Sequence, residues 1–181
     1  MPESDNLQRF IDAQTATYAA VERELAAGHK QSHWMWFIFP QLDGLGSSEM
    51  ARRFALKSLD EAQAYLAHPL LGVRLRDCVG LLQGLPRANA DTVFGTVDAM
   101  KLRSSLTLFV KAGGGPLFQA ALDRWFSGRA DERTQRLLER LLRGGGQADE
   151  APARPIWRTG EGCLRKSSTV FSQADVHESF S

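Results

Sequence analysis

Leu7-Gln8-Arg9-Phe10-Ile11-Asp12-Ala13-Gln14-Thr15-Ala16-Thr17-Tyr18-Ala19-Ala20-Val21-Glu22-Arg23-Glu24-Leu25 is the stretch that decides the fold class. Within it Leu7, Phe10, Ile11, Gln14, Tyr18, Val21 and Leu25 recur at three- and four-residue steps, the spacing that gathers side chains on one helix face. Ser4 or Asp5 stands where a helix is capped, and Gly28 where it ends. Downstream the same period returns. Ser58 followed by Glu61 forms a capping box opening a helix through Ala67. His68-Pro69 breaks that helix, and Pro69 suits the first position of the next, which runs to about Gln83. Ser47 or Ser48 is placed to cap a helix over 49–56, and Asn89 to start a single turn ending at Gly95. Residues 98–111 read as a helix with Met100, Leu102, Leu106 and Phe109 as its apolar side chains. Pro116 opens another, carrying Phe118, Leu122, Trp125 and Phe126 and stopped by Gly128. The last, 131–143, carries Leu137, Leu138, Leu141 and Leu142. Asp43-Gly44 lacks the alternating apolar flanks of a hairpin, and no repeat of fixed period is present. The expectation is an all-α domain of about seven helices over residues 1–143.

Beyond Arg143 the composition turns to Gly, Ala, Ser, Pro and isolated charges, too little apolar surface to offset the entropy of ordering it. Residues 144–181 are expected to be a disordered tail, in which only Trp157, Cys163 and Phe171 offer docking groups. Lys+Arg number 22 against Asp+Glu 21, a net charge of +1. That balance disfavours nucleic acid as a partner, although Arg52-Arg53 and Arg133, Arg136, Arg140 and Arg143 form local clusters. Two cysteines, Cys78 and Cys163, cannot make a disulfide framework, and a reducing cytoplasmic setting is expected. The start, Met1 to Asn6, lacks the basic-then-apolar order of a secretory signal. The most apolar run, Trp34 to Phe39, is far shorter than the ~20 residues of a membrane span. No membrane association is expected, and a monomer is the expected state. His29, His33, His68 and His177 have no metal-ligand spacing, so no metal is expected.

Two constellations carry chemistry. Lys30, Ser32, His33, Trp34, Trp36 and Gln41 surround the apolar run 33–39, which is a short buried helix or a strand, with Ser32 before it and Pro40 after it favouring helix. A buried indole needs a partner for its N–H, and histidine needs partners for its ring nitrogens. A lysine can hold an anion while a tryptophan stacks on a planar ring. The simpler alternative makes Trp34 and Trp36 core anchors and His33 a hydrogen-bonded side chain. In the second constellation Asp98, Lys101 and Ser105 share a helix face, with Ser104 adjacent. Asp98 near the helix start suits the dipole, and a lysine beside a serine can activate its hydroxyl. The alternative is a plain Asp–Lys surface pair. Gly44-x-Gly46-Ser47-Ser48 is loosely similar to a phosphate-binding turn but lacks a preceding strand.

Lys30-x-Ser32-His33-Trp34-Met35-Trp36-Phe37-Ile38-Phe39-Pro40-Gln41 with Gly44-Leu45-Gly46 closely resembles the hallmark of a bacterial family, domain of unknown function 1810. Ala64-Tyr65-Leu66-x-His68-Pro69-x-Leu71-Gly72, Phe94-Gly95-x-x-Asp98-x-x-Lys101-Leu102-x-Ser104-Ser105 and Leu106-Thr107-Leu108-Phe109 extend the likeness over about residues 7 to 142. The resemblance implies a mainly helical single domain and implies no activity. Members sometimes carry the label calpastatin, a protease inhibitor; that inhibitor works through disordered repeats, which a folded domain does not supply. A looser likeness, to helix-rich bacterial families that process ADP-ribose or riboflavin intermediates, is analogy alone.

Three functions are weighed from these residues. The first is a domain binding a small-molecule or nucleotide-type ligand in a cleft shared by the two motifs, with hydrolysis as an extension of it and no cofactor specified. The second is a non-enzymatic interaction module exposing the aromatic segment. The third is nucleic-acid binding through the arginines. The sharpest expectation is that the two motifs meet in space, because both flank one small core. Truncation after Arg143 is expected to leave the unfolding free energy within about 1 kcal/mol of the full chain, measured by denaturant titration; a larger loss would mean that the tail packs on the domain.

Overall fold

The computed structural model describes residues 3–86 and 89–144, all within the unit Met1–Ala148. The expected tail, with Trp157, Cys163 and Phe171, lies outside the described residues apart from Gly144, which closes the last helix. Among the described residues there are ten helices and no strand. They are α1 (Glu3–Thr15), α2 (Tyr18–Ala26), α3 (Met35–Ile38), α4 (Glu49–Arg53), α5 (Leu59–Ala67), α6 (Leu71–Gly84), α7 (Ala90–Phe94), α8 (Thr96–Lys111), α9 (Pro116–Phe126) and α10 (Glu132–Gly144).

The all-α class expected from the periodicity is what the structure has, with more breaks than the period reveals. The single helix expected over residues 7–25 is two. Thr15 Oγ1 donates to the Ile11 carbonyl at 2.7 Å and Thr17 Oγ1 to that of Ala13 at 2.8 Å, so hydroxyls compete with the backbone ladder where the helix breaks. α6 starts at Leu71 rather than at Pro69, because His68 Nδ1 accepts from the N–H groups of Leu70 and Leu71 and holds 68–70 as a turn. α4 stops at Arg53, short of the expected 56. Leu56 N instead donates to the Gln41 carbonyl at 2.9 Å and its own carbonyl accepts from Asp43 N at 2.8 Å, a parallel bridge that pins the loop after α3. α8 starts at Thr96, two residues before Asp98, since Gly95 at φ 76° turns the chain directly out of α7. Ser58 and Asn89 cap as expected, and of the two candidates Ser47 and Ser48 it is Ser48 that caps α4, each accepting from the N–H three residues on.

α8 is the central element, packing against α3, α5, α7, α9 and α10. Every residue from Ser104 to Phe109 is buried, so the helix is wrapped on nearly all sides. Met100, one of the apolar side chains that this helix carries, is 58% exposed, because it lies on the stripe that faces away from the bundle. The segment Trp34 to Pro40 is buried except for Trp36, so the aromatic run forms no exposed docking patch. Its Phe37 carbonyl accepts from Gln14 Nε2 at 2.8 Å and from the Tyr65 hydroxyl at 3.2 Å. Gln14 is itself 1% exposed, and Arg74 reaches its Oε1.

α5 and α6 approach so closely that Gly72 has no room for a side chain: a Cβ there would lie 2.0 Å from the Leu66 carbonyl oxygen. Gly72→Ala should therefore cost about 1–3 kcal/mol or more of stability. Gly80→Ala in the same helix, where a Cβ meets nothing within 4 Å, should instead gain roughly 0.5–1 kcal/mol. Thermal or denaturant melts of the two variants check the contrast; equal effects would refute the close approach.

Candidate functional site

The site begins with a loop that has no regular structure, residues 27–34, and with the carboxylate that orders it. Glu24, in the last turn of α2, accepts from Gln31 N at 2.8 Å, Ser32 N at 3.0 Å, the Ser32 hydroxyl and the Trp34 indole N–H at 2.7 Å. Burial works to raise its pKa, but these donors outweigh it and hold the carboxyl down at about 2. Lys30 N meanwhile donates to the Val93 carbonyl of α7 at 2.9 Å, which brings the loop beside the start of α8.

There the two motifs meet. Lys30 Nζ stands 2.8 Å from Asp98 Oδ2, and Lys101 Nζ stands 2.7 Å from Asp98 Oδ1. This is no solvated surface pair: the side chains of Lys30, Asp98 and Lys101 are only 8%, 18% and 20% exposed. Burial raises the Asp98 pKa, but the hydrogen bonds and charges of the two lysines prevail and lower it overall. Lys101 also lies over the indole of Trp36, its Nζ 4.3 Å from the ring centroid. Trp36 is the half-buried residue of α3, whose Met35, Phe37 and Ile38 are all buried.

Beside this junction opens a cleft of about 360 Å³. One wall is the stripe Val97, Met100, Lys101 and Ser104 of α8, spaced as neighbours on one helix face, with Arg103 at its edge. Trp36 and Gln41 form the second wall, the loop Leu45–Ser48 with Ala51 the third, and Asp131 and Arg133 close the end at α10. The loop lies close because Gly46 is a glycine: a Cβ there would meet that of Ala51 at 2.6 Å. Arg103 is held by the carbonyls of Arg129 and Ala130 at 2.8 and 2.7 Å. Asp131 accepts from Thr134 N and its hydroxyl, capping α10. Arg133 is exposed.

Of the ten residues expected to bind a ligand, Trp36, Gln41, Lys101 and Ser104 line the cleft. Lys30 and Asp98, which form an ion triad with Lys101, are not among the lining residues. Trp34 is 1% exposed, its indole tied to Glu24. Ser32 and His33 are exposed outside the lining. Ser105 is fully buried in the core, where its hydroxyl has no hydrogen-bond partner among the described residues. Ser104 donates to the Met100 carbonyl at 3.1 Å, one turn back along α8. Sequence reasoning passed over Glu24, Val97, Arg103 and Asp131, and took Arg133 only as part of an arginine cluster. Val97 and Met100 were legible as two apolar residues on the Lys101 face; Glu24 left no local signal, because its donors lie seven to ten residues away. No group of three or more His, Cys, Asp or Glu side chains that could hold a metal occurs among the described residues. No described helix is long and apolar enough to cross a membrane.

A helical bundle closed around a buried aromatic segment, with a cationic cleft against its central helix, is the class of protein these observations define. The chain belongs to the family described as protein of unknown function DUF1810, whose model matches residues 4–138. It is similar to a conserved hypothetical protein from Mycobacterium tuberculosis with a known crystal structure: identity is 48%, the match covers 74% of this chain and 96% of that one, and the TM-score is 0.73. No curated protein matches it.

Glu24→Gln should cost about 1–3 kcal/mol near neutral pH by weakening the charge-assisted bonds that order the loop. Because the folded pKa is depressed from 4.5 to about 2, the stabilisation is present above that window and is lost as pH falls through it. Melts between neutral pH and about 2 should show wild type losing more stability on acidification than the variant; parallel curves would remove Glu24 from this role.

Proposed function

We propose that this chain binds a small organic anion bearing a planar ring, a nucleotide-type ligand, in the cleft between α8, the α3–α4 loop and the start of α10. The observation that carries the reading is the joint lining: an aromatic face, two exposed apolar side chains and three cations border one cleft. Trp36, Val97 at 61% exposure and Met100 at 58% supply apolar surface for a ring. Lys101, Arg103 and Arg133 bring positive charge, and the one carboxylate among the lining residues, Asp131, is committed to capping α10. A cleft of this size with a few convergent polar groups is the ordinary form of a small-ligand site. The hydrogen bond that Ser104 donates to Met100 and the burial of Ser105 favour binding over hydrolysis. A second reading, a protein-docking patch, rests on the exposure of Val97 and Met100 alone, since the aromatic segment is buried.

A thermal-shift screen with nucleotides, NAD, ADP-ribose and flavins tests the proposal, because a ligand that binds only the folded state stabilises it by about 2.7 kcal/mol at a hundredfold excess over Kd. At least one of these should raise the melting temperature. Arg133→Ala should reduce that shift while moving the stability of the free protein by no more than about 0.5 kcal/mol, as its side chain is exposed. No shift with any of them, or an undiminished shift in the variant, counts against this cleft.

A further inference from the structure

A planar ring that stacks on Trp36 must contend with what already covers it. Lys101 Nζ sits 4.3 Å from the ring centroid and is also held by Asp98 at 2.7 Å. Leaving would surrender a cation–π contact and deprive a part-buried carboxylate of a partner, a costly change if that partner were alone. Asp98, however, has a second one. Lys30 Nζ is 2.8 Å from its other oxygen and is anchored on the Ser32 carbonyl at 2.7 Å. Lys101 can therefore swing out on its flexible four-carbon stem while Asp98 stays paired. An anion entering the cleft offers the departing ammonium a new partner. A neutral ring offers none.

Resting on the ligand reading above, we propose that Lys101 is a specificity gate: the anionic part of the ligand draws it off Trp36, and the ring part takes the bared indole face. Only a molecule that joins an anion to a planar ring obtains both contacts, so the site selects nucleotides over nucleosides. Lys30 is the positioning residue that lets Asp98 release Lys101.

Isothermal titration of the full chain with adenosine monophosphate, adenosine and inorganic phosphate tests this. Wild type should bind the nucleotide at least about tenfold more tightly than adenosine. In Lys101→Ala adenosine should gain roughly tenfold, the factor that about 1.4 kcal/mol represents, while the nucleotide loses its advantage. Adding Trp36→Leu should abolish the gain. Lys101→Arg, which keeps a cation on the ring, should return adenosine to its weak wild-type binding and guards against a merely structural effect of the alanine. Equal adenosine affinity in wild type and Lys101→Ala, or in the Arg and Ala variants, overturns the gate while leaving nucleotide binding standing. Failure of adenosine monophosphate to bind wild type overturns the gate, and the ligand reading falls with it only if the wider thermal-shift screen also gives no shift.

Discussion

The Phe37 carbonyl is the point on which the arrangement depends. It lies in a buried segment without a sheet partner and near the end of a helix only four residues long, so its lone pairs need side-chain donors. Gln14 from α1 and Tyr65 from α5 supply them, and Arg74 from α6 satisfies the other end of the Gln14 amide. A buried carbonyl left unpaired costs on the order of 1–3 kcal/mol, so three helices are bound to one orientation of α3. With that orientation set, Met35, Phe37 and Ile38 turn to the core and Trp36 turns to α8.

Charges extend the same constraint outward. Glu24 gathers the loop after α2, and Lys30 within that loop reaches Asp98 at the start of α8. Both carboxylates are ionised at neutral pH because the donors around them outweigh the cost of burial. The result is a division of labour among the cations. Lys30 is buried as a counter-ion of Asp98, whereas Lys101, Arg103 and Arg133 border the cleft. A net charge of +1 over the chain conceals this local imbalance.

The central helix combines two jobs that usually fall to different elements. Its run Ser104–Phe109 is buried by neighbours on nearly every side, while its first turns carry the exposed stripe that walls the cleft. Thr107 joins the two regions: its hydroxyl donates to the Arg103 carbonyl and accepts from Asp131 N. The cleft's far end at α10 is thus fixed to the interior of α8 rather than left to a loose connection.

The amino-acid sequence by itself determined the helical class, the capping residues Ser58 and Asn89, and the two polar motifs, because period and capping chemistry act over three or four residues. It also carried the expectation that the motifs meet, since both adjoin the same apolar stretches. What it did not reveal was which members of each motif would face a cleft. Lys30, Trp34 and Ser105 are chemically as suited to a ligand as Lys101, Trp36 and Ser104, and only their distant partners separate them. Glu24 claims the Trp34 indole, Asp98 claims Lys30, and the neighbours of α8 enclose Ser105. The splitting of the first helix at Thr15–Thr17 and the exposure of Met100 were settled in the same way. Burial is a property of the assembled bundle, and tertiary packing alone decided which side of each short helix the solvent reaches.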